Sequence, residues 1–359
     1  MNILDRYLTR EFTRNLLLIT GSFISLFLII DFFEKIRMFL SNQATFVQMA
    51  LHFLFRIPMV LSQSLPAAVL LASLMTYGIL SRHSEIVAMK ANGISLYRLS
   101  LPVLIIAALI SGLVFLLSEW VTPYTNERSE YIRLVEVQKR PSLGSFKQDQ
   151  LWYRGEKGIY NFNLFDPVGN RLQGIVIHYL DREMNLLMRL DAERGEWRDG
   201  RWHFENVLIA RFPEGPFPSV EKLAHHVADI PEKPDDFKVV QKDVEMMGYF
   251  ELDRYIKKLR SEGYDATRYE TDLQGKIAFP LVGVIMAVIG IAFSLRSERS
   301  GGIAQGIGAG LLIGFSYWLV YAFGLSLGRS GTFSPLVAAW FANALFTALS
   351  FWLFLRIKT

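Results

Sequence analysis

The chain has 359 residues, 51% of them apolar and 20% charged, with a net charge of +4. Long apolar stretches lie at both ends and a polar block fills the middle, which excludes a single soluble globule and points to a membrane protein with a soluble insert. The mild charge lacks the concentrated basic stripe of a nucleic-acid surface. The absence of cysteine excludes disulfides and thiolate metal sites and leaves the redox compartment open.

In chain order, Asp5, Arg6, Arg10, Glu11 and Arg14 precede the first apolar run. No small-residue cleavage site follows, so this reads as a retained span and not a removed signal peptide. A span needs roughly 20 mostly apolar residues. Six segments qualify: about 14–33, 55–80, 100–121, 274–295, 303–327 and 334–355. Arg6, Arg10, Arg14, Arg82, Lys90, Arg98, Arg296, Arg299, Arg356 and Lys358 fall on one side. Lys35, Arg37, Arg56 and Arg329 fall in the short loops of the other. The positive-inside bias puts both termini and residues 81–99 in the cytoplasm, and residues 122–272 outside.

The outer block reads as β. LWYR (151–154), GIYNFNLF (158–165), LQGIVIHYL (172–180), LLMRLDAERGEW (186–197) and WHFENVLIARF (202–212) are rich in β-branched and aromatic residues, with turn signals at 166–170 and at Asp199-Gly200. This spacing suggests a sandwich or jellyroll. Residues 213–235, with five prolines, read as an irregular excursion, with a further strand over about 237–246. FELDRYIKKLRSEG (250–263) reads as a helix ending at Gly263. The expected fold class is an α+β membrane protein: six transmembrane helices with an outer antiparallel β-jellyroll domain between helices 3 and 4. The divisions fall at 1–121, 122–272 and 273–359.

Some chemistries are missing. There is no phosphate loop, since Gly275-Lys276 is followed by Ile277 and lacks the earlier glycine. Metallohydrolase and serine-hydrolase motifs are absent too. His225-His226 reads as a lone pair in a loop, without a metal role. Asp31 and Glu119 lie at span ends, where hydration or snorkelling explains them.

Three features stand out. Gly302, Gly306, Gly310 and Gly314 recur at four-residue spacing, one small-residue stripe along the fifth span. It packs either within the chain's own bundle or as a seam with a partner subunit. Lys35, Arg37, Arg128, Arg133 and Lys276 lie near the outer ends of spans one, three and four, where they either anchor the interface or line a cavity for anionic lipid groups. Finally, SRHSEIVAMKANG (81–93) links spans two and three. On a helix over about 82–94, Ser84, Val87, Ala88, Ala91 and Ser95 gather on one side and Arg82, Ile86, Met89 and Gly93 on the other. That weak amphipathicity suits a protein groove better than a membrane surface. Glu85 favours the first turn and Asn92-Gly93 ends the helix.

LDRYLTREF (4–12), SEIVAMKANGIS (84–95), SEWVTP (118–123) and the six spans split by a β domain resemble the lipopolysaccharide export permeases over essentially the whole chain. The EWV-x-P pattern and short C-terminal tail resemble the G-type subunit more than its F-type relative. The resemblance implies a bacterial inner-membrane location with the β domain periplasmic. It implies a homologous F-type permease as partner, a cytoplasmic ATPase dimer, and a single-span periplasmic bridge subunit. Lipopolysaccharide is the implied cargo and nucleic acid is not a partner. It implies no cofactor in this chain, ATP and Mg being bound by the ATPase. By position, the inner-loop helix matches the family's coupling helix, with Arg82, Glu85, Met89 and Lys90 facing the ATPase and Glu85 foremost. Arg37 and Arg133 match cavity cations, and spans one and five match lateral gates. Asp31 and Glu130 depart from the pattern, standing where a lysine and an arginine are expected; Lys35 and Arg128 lie close enough to compensate.

The expected function is a non-enzymatic permease that extracts lipopolysaccharide from the outer leaflet and passes it to a periplasmic jellyroll bridge. The alternative is a membrane scaffold that docks periplasmic partners without moving lipid. A lipid-modifying enzyme ranks below both, for want of clustered acid, base or metal ligands.

Overall fold

The computed structural model describes residues 3–355 apart from 140–143, 148–149, 156, 167–168, 182–184, 213–217, 229, 235–236, 238–243, 262–264 and 297–302. The chain divides into two compact units. The first comprises Met1–Arg133, Val244–Ile256 and Asp265–Thr359; the second comprises Leu134–Asp243 and Lys257–Tyr264.

The first unit is a helical bundle. Its helices are α1 (Ile3–Ser41), α2 (Phe46–Arg82), the short α3 (Glu85–Ala91), α4 (Leu96–Leu116), α5 (Thr122–Tyr131), the start of α6 (Tyr249–Ser261, which from Lys257 on belongs to the second unit), α7 (Thr267–Arg296), α8 (Ile303–Arg329) and α9 (Pro335–Leu355). Among the described residues, six helical stretches are long and apolar enough to cross a membrane, and they match the six expected spans.

Two of them overrun the apolar segment that announces them. α1 has 39 residues, about 58 Å at 1.5 Å per residue, nearly twice the hydrocarbon thickness. The third span continues to Val137, through Pro123. Proline lacks an N–H and clashes with the carbonyl four residues back. Here a wide π turn over Leu117–Val121 absorbs the problem, with Thr122 N–H reaching Leu117 O five residues back. α2 starts at a reciprocal capping box: Thr45 N–H donates to Gln48 Oε1 (3.0 Å) and Gln48 N–H to Thr45 Oγ1 (3.3 Å).

The bundle core joins α1, α2, α3, α4 and α7 through Leu8, Phe12, Tyr77, Ile86, Leu99 and Ile291, all nearly or fully buried. Buried polar pairs cross-link the spans. Asn15 donates to Thr76 (2.9 Å), Tyr77 to Leu99 O (2.8 Å), and Asn343 both accepts from Tyr317 and donates to Ala278 O, each at 2.7 Å. Between membrane helices such bonds and close backbone approach substitute for hydrophobic driving force.

The second unit holds seven antiparallel strands paired strictly in sequence order. They are β1 (Gly144–Lys147), β2 (Gln150–Arg154), β3 (Gly158–Asp166), β4 (Arg171–Leu180), β5 (Leu186–Arg198), β6 (Arg201–Arg211) and β7 (Ser219–Ala228). The β domain expected between spans three and four is present. The Asp199-Gly200 turn has both residues at positive φ, 50° and 79°, the pair that a tight hairpin needs.

One feature escapes sequence patterning. Asn163, Gly174, Glu193, Asn206 and Ala224 each interrupt the pairing ladder at the same level across five strands. Gly174 and Asn206 adopt positive φ there, 57° and 53°. The inward positions change phase across this row: Leu172 and Phe204 are buried on one side, Ile175 and Val207 on the other. The sheet creases along it, with the register of each strand pair the same on both sides. Phe237 is fully buried against residues from both sides of the crease, Tyr153 and Phe162 on one and Phe165 and Trp202 on the other, and Trp202 Nε1 donates to Glu232 O (2.9 Å).

Several expectations are corrected. The link helix spans Glu85–Ala91, not 82–94, and Arg82 closes α2 instead. The excursion over 213–235 contains β7, and His225-His226 sit on that strand, opposite Glu205 and Phe204. Alternation there is hidden by polar residues, because most of β7 is exposed. The strand expected over 237–246 falls largely on residues outside those described, and Val244–Met246 is a 3-10 turn. Gly263 also lies outside them.

Candidate functional site

The link between spans two and three is a built corner. His83 caps α2, Ser84 takes a left-handed turn (φ 59°), and α3 begins at Glu85. It ends in a Schellman motif: Gly93 (φ 79°) donates to Lys90 O (2.8 Å) and Ile94 to Met89 O (3.1 Å). Ile86 is 1% exposed and anchors the helix in the core, with Met89 and Ile94 packed beside it. Ser84, Val87, Ala88 and Ala91 face outward, the small-residue side that the sequence separates. Glu85 Oε2 accepts from the Tyr7 hydroxyl (2.9 Å) and Oε1 lies 3.9 Å from His83. Lys90 is half-buried and Arg82 exposed.

The expected outer cations separate into two groups. Lys35 pairs with Asp31 at 2.7 Å. Arg133 pairs with Glu130 through Nε (2.9 Å) and a second, shorter contact, while Arg56 lies 4.0 Å from the same carboxylate. Thus Asp31 and Glu130, the two departures from the family pattern, neutralise expected cavity cations. Between them sits fully buried His52, whose Nδ1 meets Ser129 Oγ (2.9 Å) and whose ring lies 5.3 Å from Phe39. Arg128 stacks over Tyr131 at 5.0 Å. Arg37 is exposed.

Lys276 is different. Among the described residues it makes no hydrogen bond and no ion pair, because Asp272, one turn earlier, is held by Arg329 (2.7 and 2.8 Å). It lines an open cavity of about 500 Å³ with Gln63, Thr122, Asn126, Glu245, Asp272, Phe279, Trp318, Tyr321 and Arg329, set among α2, α5, α7 and α8. Thr122 Oγ1 and Asn126 Oδ1 are buried there without a partner. The cavity thus gathers an ammonium, the carboxylates of Asp272 and Glu245, unsatisfied polar atoms and an aromatic wall.

Of the glycine stripe, Gly302 lies outside the described residues and Gly306 falls on α8. Gly310 and Gly314 approach Leu70, Leu71 and Leu74 of α2, so these two serve packing within the chain. Glu119 was expected to be a hydrated span end; instead its carboxylate caps α6, accepting from Tyr249 N–H and from Phe250 N–H (3.3 Å). A carboxylate on a helix N-terminus is a favourable pairing. Asp265 caps α7 similarly through Thr267 (2.6 and 2.9 Å), bonds that hold its carboxyl below the usual range. Sequence also gives no sign that Asp5 meets Arg98 or that Tyr7 meets Glu85, since contacts across 93 and 78 residues have no local signature.

Six spans, a β insert, and no group of three or more His, Asp or Glu able to hold a metal among the described residues define a multi-pass membrane protein organised around lipid-facing surfaces. Residues 6–356 match the family described as lipopolysaccharide export system permease LptF/LptG, and the chain belongs to that family. It is 24% identical over 363 residues to the lipopolysaccharide export system permease protein LptG of Escherichia coli K12, covering 99% of this chain and 98% of the relative. The LptG of Haemophilus influenzae Rd is 23% identical over 322 residues, 89% of each chain. As a lipopolysaccharide export permease, the chain is a transport component.

Proposed function

We propose that this chain is the G-type permease of an inner-membrane exporter that extracts lipopolysaccharide from the outer leaflet. It pairs with an F-type permease, and a separate cytoplasmic ATPase dimer supplies the energy. Its termini are cytoplasmic and its β domain is periplasmic, where it hands lipid to a jellyroll bridge anchored by a single span. The G-type names of the relatives support the subunit assignment.

The observation that carries the energy-coupling part is α3. A seven-residue helix is too short to be stable alone, yet here it is anchored by Ile86, capped at its C-terminus and turned small side outward. Such a preformed wedge suits a groove on a partner. Arg82, Glu85, Met89 and Lys90 are its proposed contacts, though Met89 acts mainly by anchoring the helix from the core side. Spans one and five are the proposed gates. In their most apolar windows 17% and 22% of residues are buried, against 39–61% in the other spans, which leaves faces for a partner or lipid. Of the proposed cavity cations, Arg37 and Lys276 make no ion pair among the described residues, although Glu119, Asp272 and Glu245 act on Lys276 electrostatically.

Glu85→Arg tests the reading. It reverses the charge at the wedge and is expected to abolish co-purification with the ATPase and lipopolysaccharide-stimulated ATP hydrolysis. Normal co-purification and export by that variant would remove α3 from the coupling role.

A further inference from the structure

Sequence reads the charged N-terminal stretch as a topology signal, but its side chains are committed to specific partners. Asp5 and Arg98 meet at two 2.8 Å contacts, Nη2 donating to Oδ2 and Nη1 lying against Oδ1. Tyr7 donates to Glu85 at 2.9 Å. Beneath these bonds, Leu8 and Phe12 of α1 are fully buried with Ile86 of α3 and Leu99 of α4. The first turns of α1 are therefore fixed to both elements that flank the 92–95 turn.

The rest of α1 is built to carry a displacement. It is one unbroken helix containing no proline, so it lacks the usual cause of a kink. One face of its middle is uncovered: Leu26, Ile29 and Ile30 are 56%, 54% and 58% exposed. Apolar contacts alone slide at little cost, whereas a forked guanidinium–carboxylate pair and a directed hydroxyl bond each specify one register.

We infer that Asp5, Tyr7 and Arg98 are positioning residues for transport: they clamp the start of α1 to α3 and α4, so that movement of α3 reaches α1. The inference rests on the reading of α3 as the ATPase contact. It makes Tyr7 the residue that orients Glu85, and the clamp the step that converts a push on α3 into motion of a gate helix.

The test uses the assembled permease pair and ATPase in proteoliposomes containing lipopolysaccharide, reading lipid removed per ATP hydrolysed. Asp5→Arg should lower that ratio about threefold, the scale of a partly exposed charge pair, while ATP hydrolysis continues. The swap Asp5→Arg with Arg98→Asp should restore it, which a general loss of stability would not. Tyr7→Phe keeps the ring and removes the hydroxyl, and should lower the ratio about twofold. An unchanged ratio in Tyr7→Phe overturns the inference. So does a proportionate loss of hydrolysis and removal in Asp5→Arg that the swap fails to restore. A wild-type assembly with no lipid-stimulated hydrolysis would instead contradict the coupling role of α3.

Discussion

α1 and α2 are near equals in length, 39 and 37 residues, yet they are opposite in setting. In their most apolar windows 17% of α1 is buried and 61% of α2. α2 is a pillar: α7 packs on it closely enough that a Cβ on Gly290 would meet Ser73 Cβ at 2.7 Å and Leu70 O at 2.8 Å. α1 is held near its ends, by Asp5, Tyr7 and Asn15 at one and by Phe39 against His52 and Phe53 at the other. A helix fixed near its ends and exposed along one face between them, with Ile19 and Phe23 packed on the bundle from the other face, can shift against a partner at less cost to the core. A pillar cannot, because packed interiors do not deform continuously.

Three substitutions probe this contrast. The largest effect belongs to Gly290→Leu, which forces α7 off α2 and should cost about 1–3 kcal/mol, visible as a lowered melting temperature in detergent. Tolerance of leucine there would mean that α2 is not a fixed pillar. Asn15→Leu removes the buried tie from α1 to Thr76 and should cost about 1 kcal/mol by the same measurement; no loss would mean that the apolar contacts alone hold that end. Gly21→Ala, at a position with nothing within 4 Å, should gain up to about 1 kcal/mol from helix propensity. A marked loss of folding there would show that the middle of α1 is packed after all.

What sequence could read follows from what is local. Spans are legible because the bilayer demands a run of apolar residues, and β2 to β6 because alternation and turn residues sit within a few positions. The overruns of α1 and of the third span were missed because charged residues break up the apolar run in Asp31–Ser41 and in Pro123–Val137. β7 was missed because an exposed strand needs no apolar alternation. The crease is invisible for another reason: its row is assembled from five strands, and only Gly174 hints at it locally. Within the candidate site, the residue types near Glu85 and Lys276 were readable. The pairing of Lys35 with Asp31, four residues apart on α1, is local; the commitment of Asp272 to Arg329 and the hold of Tyr7 on Glu85 were not readable, since they depend on which helices meet.

The most direct test of the account is ATP-dependent removal of lipopolysaccharide from proteoliposomes bearing this chain with its partner permease and ATPase. The account predicts that added ATP withdraws lipopolysaccharide and that the lipid raises ATP turnover. ATP turnover indifferent to lipopolysaccharide, with none withdrawn, would contradict it and leave a scaffold that moves no lipid.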